Sequence, residues 1–101
     1  MYYIYILYSL SADKFYIGQT GDVLKRLEEH NHPSVNSKFT AKYLPWELKL
    51  YFPVNENRAD AMMVESFIKA QKSRKFVLKL VDNKSNPVYT QKLVNDILSV
   101  S

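Results

Sequence analysis

The chain has 101 residues, of which 47% are hydrophobic and 24% are charged, with a net charge of +4, as expected for a single folded domain that favours anionic partners such as nucleic acid. It contains no cysteine, which excludes disulfide bonds, thiolate-bound zinc and a thiol nucleophile, so any metal must be bound through oxygen or imidazole. No stretch approaches the roughly 20 apolar residues of a membrane-spanning helix, and the apolar start lacks the features of a secretory signal, so we expect a cytoplasmic protein that does not enter a membrane.

The first 20 residues predict a β-hairpin. Residues 2–8 are rich in tyrosine and isoleucine, which favour strands, and strand character returns over residues 15–18 after a polar turn. In an antiparallel hairpin of this kind, Tyr5 and Tyr16 approach each other in the sheet.

A short helix should follow the hairpin. Thr20 and Asp22 offer N-cap oxygens, and the helix should end near Asn31. Arg26 and His30 are four residues apart, which places both on one helical face, where they can reach a single substrate group.

Residues 31–45 show no clear periodicity and predict a loop, in which Lys38 and Lys42 supply basic contacts. Residues 46–52 alternate between apolar and polar side chains, which predicts a third, half-buried strand. Four side chains should share its inner side: Trp46, Leu48, Leu50 and Phe52.

The second half of the chain predicts three helices. Asn57 should cap a helix that runs to about residue 71. Its inward stripe consists of Ala61, Val64 and Ile68. Ser73 should begin the next helix, and Asn86-Pro87 precedes a last amphipathic helix.

Six basic residues fall in one run that only Asp82 opposes: Lys69, Lys72, Arg74, Lys75, Lys79 and Lys84. Phosphates could be held there electrostatically. The alternative is an ordinary solvated helix face, since charge runs usually have that role.

Glu65 lies between two residues of the inward stripe. A carboxylate in such a position is unusual unless it is paired or binds a metal. Magnesium suits it, because Mg²⁺ takes few protein carboxylates and keeps several waters while it contacts phosphates. The structural alternative is a salt bridge to Lys69, four residues further on.

These motifs resemble those of the GIY-YIG nucleases, and in particular the small single-domain bacterial members. The signature stands as Tyr3-Ile4-Tyr5 and Tyr16-Ile17-Gly18, with Arg26-Leu27 and His30-Asn31 after it. The helix around Glu65 resembles the family's metal-binding helix, so that the resemblance reaches about residue 81. Tyr3 occupies the position of the first glycine in the family name, and the downstream asparagine of the family has no clear counterpart.

The resemblance implies an α/β (α+β) fold, with a three-stranded antiparallel sheet flanked by helices. It also implies an endonuclease domain over residues 1–82, with a C-terminal helical extension over residues 83–101 packed on the same domain. The implied activity is cleavage of DNA that depends on a divalent metal, Mg²⁺ or Mn²⁺, bound at Glu65.

Each chemical need of phosphodiester hydrolysis has a candidate. We assign Tyr5 as general base, which requires a lowered pKa, with His30 accepting or relaying the proton. Tyr16 is the competing base, or a hydroxyl that orients water and phosphate. The alternative is that both tyrosines only pack in the sheet and that His30 is a helix cap or surface residue.

Arg26 is the candidate for the scissile phosphate, because its planar fork matches two phosphate oxygens and keeps its charge. Its structural alternative is a surface pair with Glu29 or Asp22.

The sequence therefore predicts a magnesium-dependent DNA endonuclease with one site. We expect structure-selective action in DNA repair or recombination, and the sequence leaves open which DNA structure is cut. The predicted nucleic-acid contacts are Lys38, Lys42, Lys69, Lys72, Arg74 and Lys75. Such contacts position DNA without reading its sequence, so specificity should be low or come from a protein partner. A non-catalytic nucleic-acid-binding module and a protein-interaction domain are the alternatives.

Overall fold

The computed structural model describes residues 1–32 and 42–99 of the chain. Within those ranges the elements are β1 (Tyr2–Ser9), β2 (Lys14–Thr20), α1 (Val23–Asn31), β3 (Trp46–Asn55), α2 (Arg58–Ala70), α3 (Arg74–Asp82) and α4 (Pro87–Ser99). The strands form one antiparallel sheet in the order β2-β1-β3, which places β2 at an edge. The predicted α+β fold, a three-stranded antiparallel sheet flanked by helices, is confirmed.

The central strand β1 presents different side chains to the two faces of the sheet. Ile4 and Ile6 are fully buried against α2, α3 and α4, in the larger of two apolar clusters. Tyr5 and Leu7 point the other way and pack with Val23 of α1 in the smaller cluster. Burial on this scale contributes about 1.5–3 kcal/mol for each large apolar side chain, so both layers hold the strand in register.

The strand β3 contains a bulge that the alternating pattern did not predict. Ile6 pairs with Leu50 but Leu7 pairs with Leu48, so that Lys49 is an extra residue on β3. The expectation that four side chains share one side is therefore wrong. The bulge divides them between the two clusters, with Leu50 and Phe52 in the larger one and Trp46 and Leu48 in the smaller one.

The helices begin at the caps that the sequence predicts. The side chain of Asp22 accepts a hydrogen bond from the backbone of Lys25, and that of Ser73 accepts one from Phe76, each at 3.1 Å. Asn57 likewise caps α2, and the proline at position 87 is the first residue of α4.

The last helix, α4, contributes Val94 and Ile97 to the larger cluster. The boundary between a nuclease domain and an extension at residue 82 stays a prediction. No helix in the described ranges is both long and apolar enough to cross a membrane.

Candidate active site

The candidate site lies along the edge strand β2, between α1 on one face of the sheet and α2 on the other. Strand pairing sets Tyr5 opposite Gly18 and Tyr16 opposite Leu7, so both phenols lie on the face that α1 covers. On α1, Arg26 and His30 share the face that is turned to these phenols, as their spacing predicts.

Tyr5 and His30 form a buried hydrogen-bonded pair. The phenolic oxygen lies 2.9 Å from Nε2 of the imidazole, and only 1% of Tyr5 and 4% of His30 are exposed. The ring of Tyr16 lies with its centroid 4.7 Å from that of His30 and 6.3 Å from that of Tyr5. His30 is therefore part of the interior of the site and not a surface residue at a helix end.

Burial sets the protonation of this pair. It raises the pKa of Tyr5 to about 12, helped by the charges of Tyr16 and Glu65, although Arg26 acts in the opposite direction. Burial also lowers the pKa of His30 to about 4, helped by the charge of Arg26. At neutral pH both groups are uncharged, and they share one hydrogen bond between the phenolic oxygen and Nε2.

These values bear on the role of Tyr5 as a base. The lowered pKa that this role requires is not found, because desolvation outweighs the charge of Arg26. Burial thus disfavours transfer of the Tyr5 proton to His30, because it raises the pKa of the phenol to about 12 and lowers the pKa of the imidazole to about 4. The neutral pair is therefore a poor proton acceptor. Its hydrogen bond is better suited to holding the Tyr5 and His30 rings in place beside Tyr16.

Arg26 stands at the rim of the site, partly exposed. Its Nη1 donates a hydrogen bond of 3.1 Å to Oε1 of Glu29, so the predicted alternative of a pair with Glu29 is present. Partial burial acts to lower the pKa of Arg26, but the hydrogen bonds to Glu29 and Tyr5 outweigh it and raise the pKa. The guanidinium therefore stays charged next to the phenols.

Glu65 reaches the site from α2, on the other face of the sheet. Its side chain is 22% exposed, and its charge is near enough to raise the pKa of Tyr5. Oε2 lies 2.6 Å from Nζ of Lys69, the salt bridge that the sequence offered as an alternative. The carboxylate thus lies at the side of the inward stripe and not within the core.

The phenols, the imidazole, the guanidinium and the carboxylate therefore meet at one edge of the sheet. A family model described as the GIY-YIG catalytic domain matches residues 1–77. The chain belongs to the GIY-YIG family. Searches of curated proteins and of solved structures gave no match. Membership supports a nuclease-type function in general, and GIY-YIG nucleases generally depend on a divalent metal.

The donor set of this GIY-YIG domain restricts how a metal could bind. No group of three or more histidine, aspartate or glutamate side chains lies together among residues 1–32 and 42–99. A cation at Glu65 would therefore have at most two such side chains from these residues as ligands, with water and substrate oxygens as the others. This arrangement fits Mg²⁺, which keeps several waters, and it requires Lys69 to leave the carboxylate.

Gly18 stands in the motif Tyr16-Ile17-Gly18, but the motif alone predicted no contact for it. A Cβ at this residue would stand 2.8 Å from Cε1 of Tyr5, and closer still to Cζ and the phenolic oxygen. The missing side chain leaves the space in which the Tyr5 ring reaches His30. The signal was available in principle, because the hairpin register sets Gly18 opposite Tyr5.

Asn31 stands in the motif His30-Asn31, but no role was predicted for its side chain. Its side-chain Nδ2 donates to the carbonyl of Trp46 at 2.9 Å, and its Oδ1 accepts from the backbone nitrogen of Trp46 at 2.6 Å. The two bonds join the end of α1 to the start of β3 and so fix the helix that carries Arg26 and His30.

The six predicted nucleic-acid contacts differ in their surroundings. Lys38 lies outside the described residues, whereas Lys42 and Lys75 are exposed. Arg74 pairs with Asp13 and lies 5.2 Å from the ring centroid of Phe15. Its charge is therefore partly occupied in joining α3 to the turn of the hairpin.

A groove of about 590 Å³ runs along the edge of β2 towards the turn between α2 and α3. Tyr16 lines it together with four basic side chains, Lys14, Lys69, Lys72 and Arg74, and Asp13 is the acidic residue of its lining. The groove thus borders Tyr16, a candidate catalytic residue, and has a mainly basic lining.

Proposed function

We propose that this GIY-YIG domain is a DNA endonuclease that hydrolyses phosphodiester bonds with Mg²⁺ or Mn²⁺. The observation that carries the proposal is the convergence at the β2 edge of Tyr16, Arg26 and Glu65, beside a groove lined by basic side chains. A phenol, a guanidinium and a carboxylate are the groups that hydrolysis of a phosphate diester needs at one place.

Arg26 has the role of binding the scissile phosphate. Its fork can donate two parallel hydrogen bonds to phosphate oxygens, and the guanidinium keeps its charge throughout the reaction. At rest it is held by Glu29, which lies on the same helix and keeps the fork at the rim of the site.

Tyr16 is a better candidate than Tyr5 for the group that meets the attacking water. It is partly exposed and lines the groove, whereas Tyr5 is buried and is already hydrogen-bonded to His30. Water attacks phosphorus through its oxygen, the bond from phosphorus to the leaving oxygen breaks, and that oxygen takes up a proton. In our proposal Tyr16 orients the water and accepts its proton while its own proton passes to solvent in the groove.

In this proposal Tyr5 and His30 have a structural role, because they hold the other side chains of the site in position. Their hydrogen bond fixes the imidazole against the ring of Tyr16 and keeps α1 against β1. Because Tyr5 and His30 are both neutral, neither of them offsets the positive charge of Arg26 that would attract a phosphate.

Glu65 is the proposed metal ligand. A bound Mg²⁺ would neutralise charge on the phosphate oxygens and polarise a water. The salt bridge from Lys69 holds the carboxylate near the phenols until the cation arrives. Once released, the ammonium of Lys69 lies in the groove, where it can contact a substrate phosphate.

The groove is the proposed path of the DNA backbone, with Lys69 and Lys72 as its main contacts. Lys38, Lys42 and Lys75 stay predicted contacts, and Arg74 has the smaller share because Asp13 already binds it. Four further expectations also stay predictions: low sequence specificity, a partner protein that supplies specificity, structure-selective action in repair or recombination, and a cytoplasmic location. The same holds for a nuclease domain over residues 1–82 with an extension over residues 83–101.

A non-catalytic nucleic-acid-binding module is the second candidate. Two observations favour it: the raised pKa of Tyr5 and the occupation of Glu65 by Lys69. In such a module the groove would bind DNA phosphates, but the cluster of side chains at the β2 edge would not cleave the DNA.

The test is an assay of the purified chain on linear, nicked, flapped and branched DNA with Mg²⁺, Mn²⁺ or chelator. Our proposal predicts metal-dependent breaks in wild type, strong loss in Tyr16→Phe and little change in the matched Tyr89→Phe on α4. Binding without cleavage under every condition would support the non-catalytic module instead.

A further inference from the structure

One face of α2 carries charged residues along its whole length. Arg58, Glu65 and Lys69 are separated by seven and four residues, and with about 3.6 residues per turn they fall within about 20° of one line along the helix. Glu65 belongs to the candidate active site and Lys69 to the groove, so Arg58 marks the opposite end of the same stripe.

A second depression, of about 460 Å³, lies at that end. It is formed by the end of β2, the start of α1 and Arg58, and its lining includes Gln19, Thr20, Lys25, Arg26 and Glu29. Because Arg26 also stands beside the phenols, this depression adjoins the site on the side away from the groove.

The basic groups in this depression are available for a ligand. Neither Arg58 nor Lys25 forms a side-chain ion pair in the described part of the chain, and the guanidinium of Arg58 lies 5.1 Å from the ring centroid of Tyr2. The two acidic groups of the lining are engaged, since Glu29 binds Arg26 and Asp22 caps α1. An anion would therefore meet two cations that have no ion pair among the described residues, in a lining whose three basic and two acidic side chains give a net charge of +1.

We infer that this depression is a second phosphate subsite, which binds a phosphate of the same DNA strand next to the scissile one. Arg58 is the principal contact, through its planar fork, and Lys25 is the second. The strand would then lie along the β2 edge, from Lys72 and Lys69 past Arg26 to Arg58. The inference rests on the proposed nuclease function, since it takes the scissile phosphate to lie at Arg26.

The dimensions agree with a strand of several nucleotides. Arg58 and Lys69 are 11 residues apart, which corresponds to about 16 Å along a helix axis, the rise of about five nucleotides in a stacked strand. Contacts at both ends of such a stretch would hold the strand across the cluster without reading its bases.

The test measures DNA binding in chelator over a range of salt concentrations, for wild type and Arg58→Gln. Glutamine keeps much of the side-chain stem over Tyr2 while it removes the charge. We expect weaker binding, with the slope of log K against log salt reduced by about 1. Arg58→Lys should restore most of the slope, and the matched control Lys92→Gln on α4 should not change it.

A second measurement uses a DNA substrate on which the main cleavage position of wild type has first been mapped, with a neutral methylphosphonate placed next to the scissile phosphate. The methylphosphonate should weaken binding to wild type and have little further effect in Arg58→Gln, because the lost contact is the same. The inference is overturned if wild type binds and cleaves DNA while Arg58→Gln keeps the full salt slope. It is also overturned if the loss of affinity from the methylphosphonate and the loss from Arg58→Gln are simply additive. A wild-type chain that binds DNA with the Arg58 dependence but never cleaves it would overturn the proposed function, and Arg58 would then be a phosphate contact of a binding module.

Discussion

The phenol of Tyr5 lies directly over the backbone of Gly18, its partner across the β1–β2 hairpin. The ring uses the space that a side chain at Gly18 would fill, and from there it reaches His30 on α1. One contact thus joins the hairpin, the helix and the buried part of the site.

Gly18→Ala should therefore displace the ring of Tyr5. The new Cβ would overlap a buried, hydrogen-bonded ring, and overpacking of this kind costs about 1–3 kcal/mol of unfolding free energy. Urea unfolding measures this loss. Gly21→Ala is the matched control, because its Cβ would come no closer than 3.6 Å to a neighbouring atom and should change stability by less than about 0.5 kcal/mol. Equal stability of the two variants would contradict the predicted overlap.

His30 should make the stability of the fold depend on pH. Its pKa is about 4 in the folded chain and near 6.5 when unfolded, so between these values the unfolded state binds the extra proton. Stability should therefore fall as pH drops from 6.5 to about 4, by up to about 3 kcal/mol from this residue. Urea unfolding of wild type and His30→Gln isolates the effect, since the carboxylates titrate in both. A constant difference between the two proteins over this range would show that His30 is not buried as a neutral group.

The sequence predicted the elements and most of the cluster because both depend on local patterns. The caps at Asp22 and Ser73 and the shared face of Arg26 and His30 follow from spacing within one helix. The bulge at Lys49 does not, because it depends on how β3 pairs with another strand.

Two features of the site depended on contacts between distant residues. Asp13 binds Arg74, which lies 61 residues further along the chain. The charge pattern had predicted that the guanidinium of Arg74 contacts DNA, but this ion pair already occupies part of it. The raised pKa of Tyr5 comes from burial between β1 and α1, and composition gives no measure of such burial.

Lys69 should compete with a metal ion for Glu65. Because the pair is about half exposed on the lysine side, its loss is equivalent to at most about 1 kcal/mol, or about fivefold in affinity. We expect Lys69→Met to bind Mn²⁺ up to about fivefold more tightly than wild type, as followed by electron paramagnetic resonance of free Mn²⁺. The control Lys72→Met should not change the affinity, and Glu65→Gln should abolish binding. Unchanged or weaker binding by Lys69→Met would mean that the ammonium does not occupy the metal position.

Arg26 should contribute more to turnover than to affinity. Its fork is placed beside the phenols, where charge develops in the reaction, so Arg26→Ala should lower the single-turnover rate by about 10²–10³. The dissociation constant for DNA, measured by fluorescence anisotropy, should change only a few fold because the groove remains. Equal losses in rate and affinity would make Arg26 a binding residue.

The central claim is that the cluster at the β2 edge hydrolyses DNA through the carboxylate of α2. Its most direct measurement is the single-turnover nicking of supercoiled plasmid by wild type and by Glu65→Gln, with Mg²⁺ and with protein in excess. We predict that wild type nicks the plasmid, and that Glu65→Gln binds and folds like wild type but is slower by about two orders of magnitude or more. Nicking by Glu65→Gln at the wild-type rate would contradict the account.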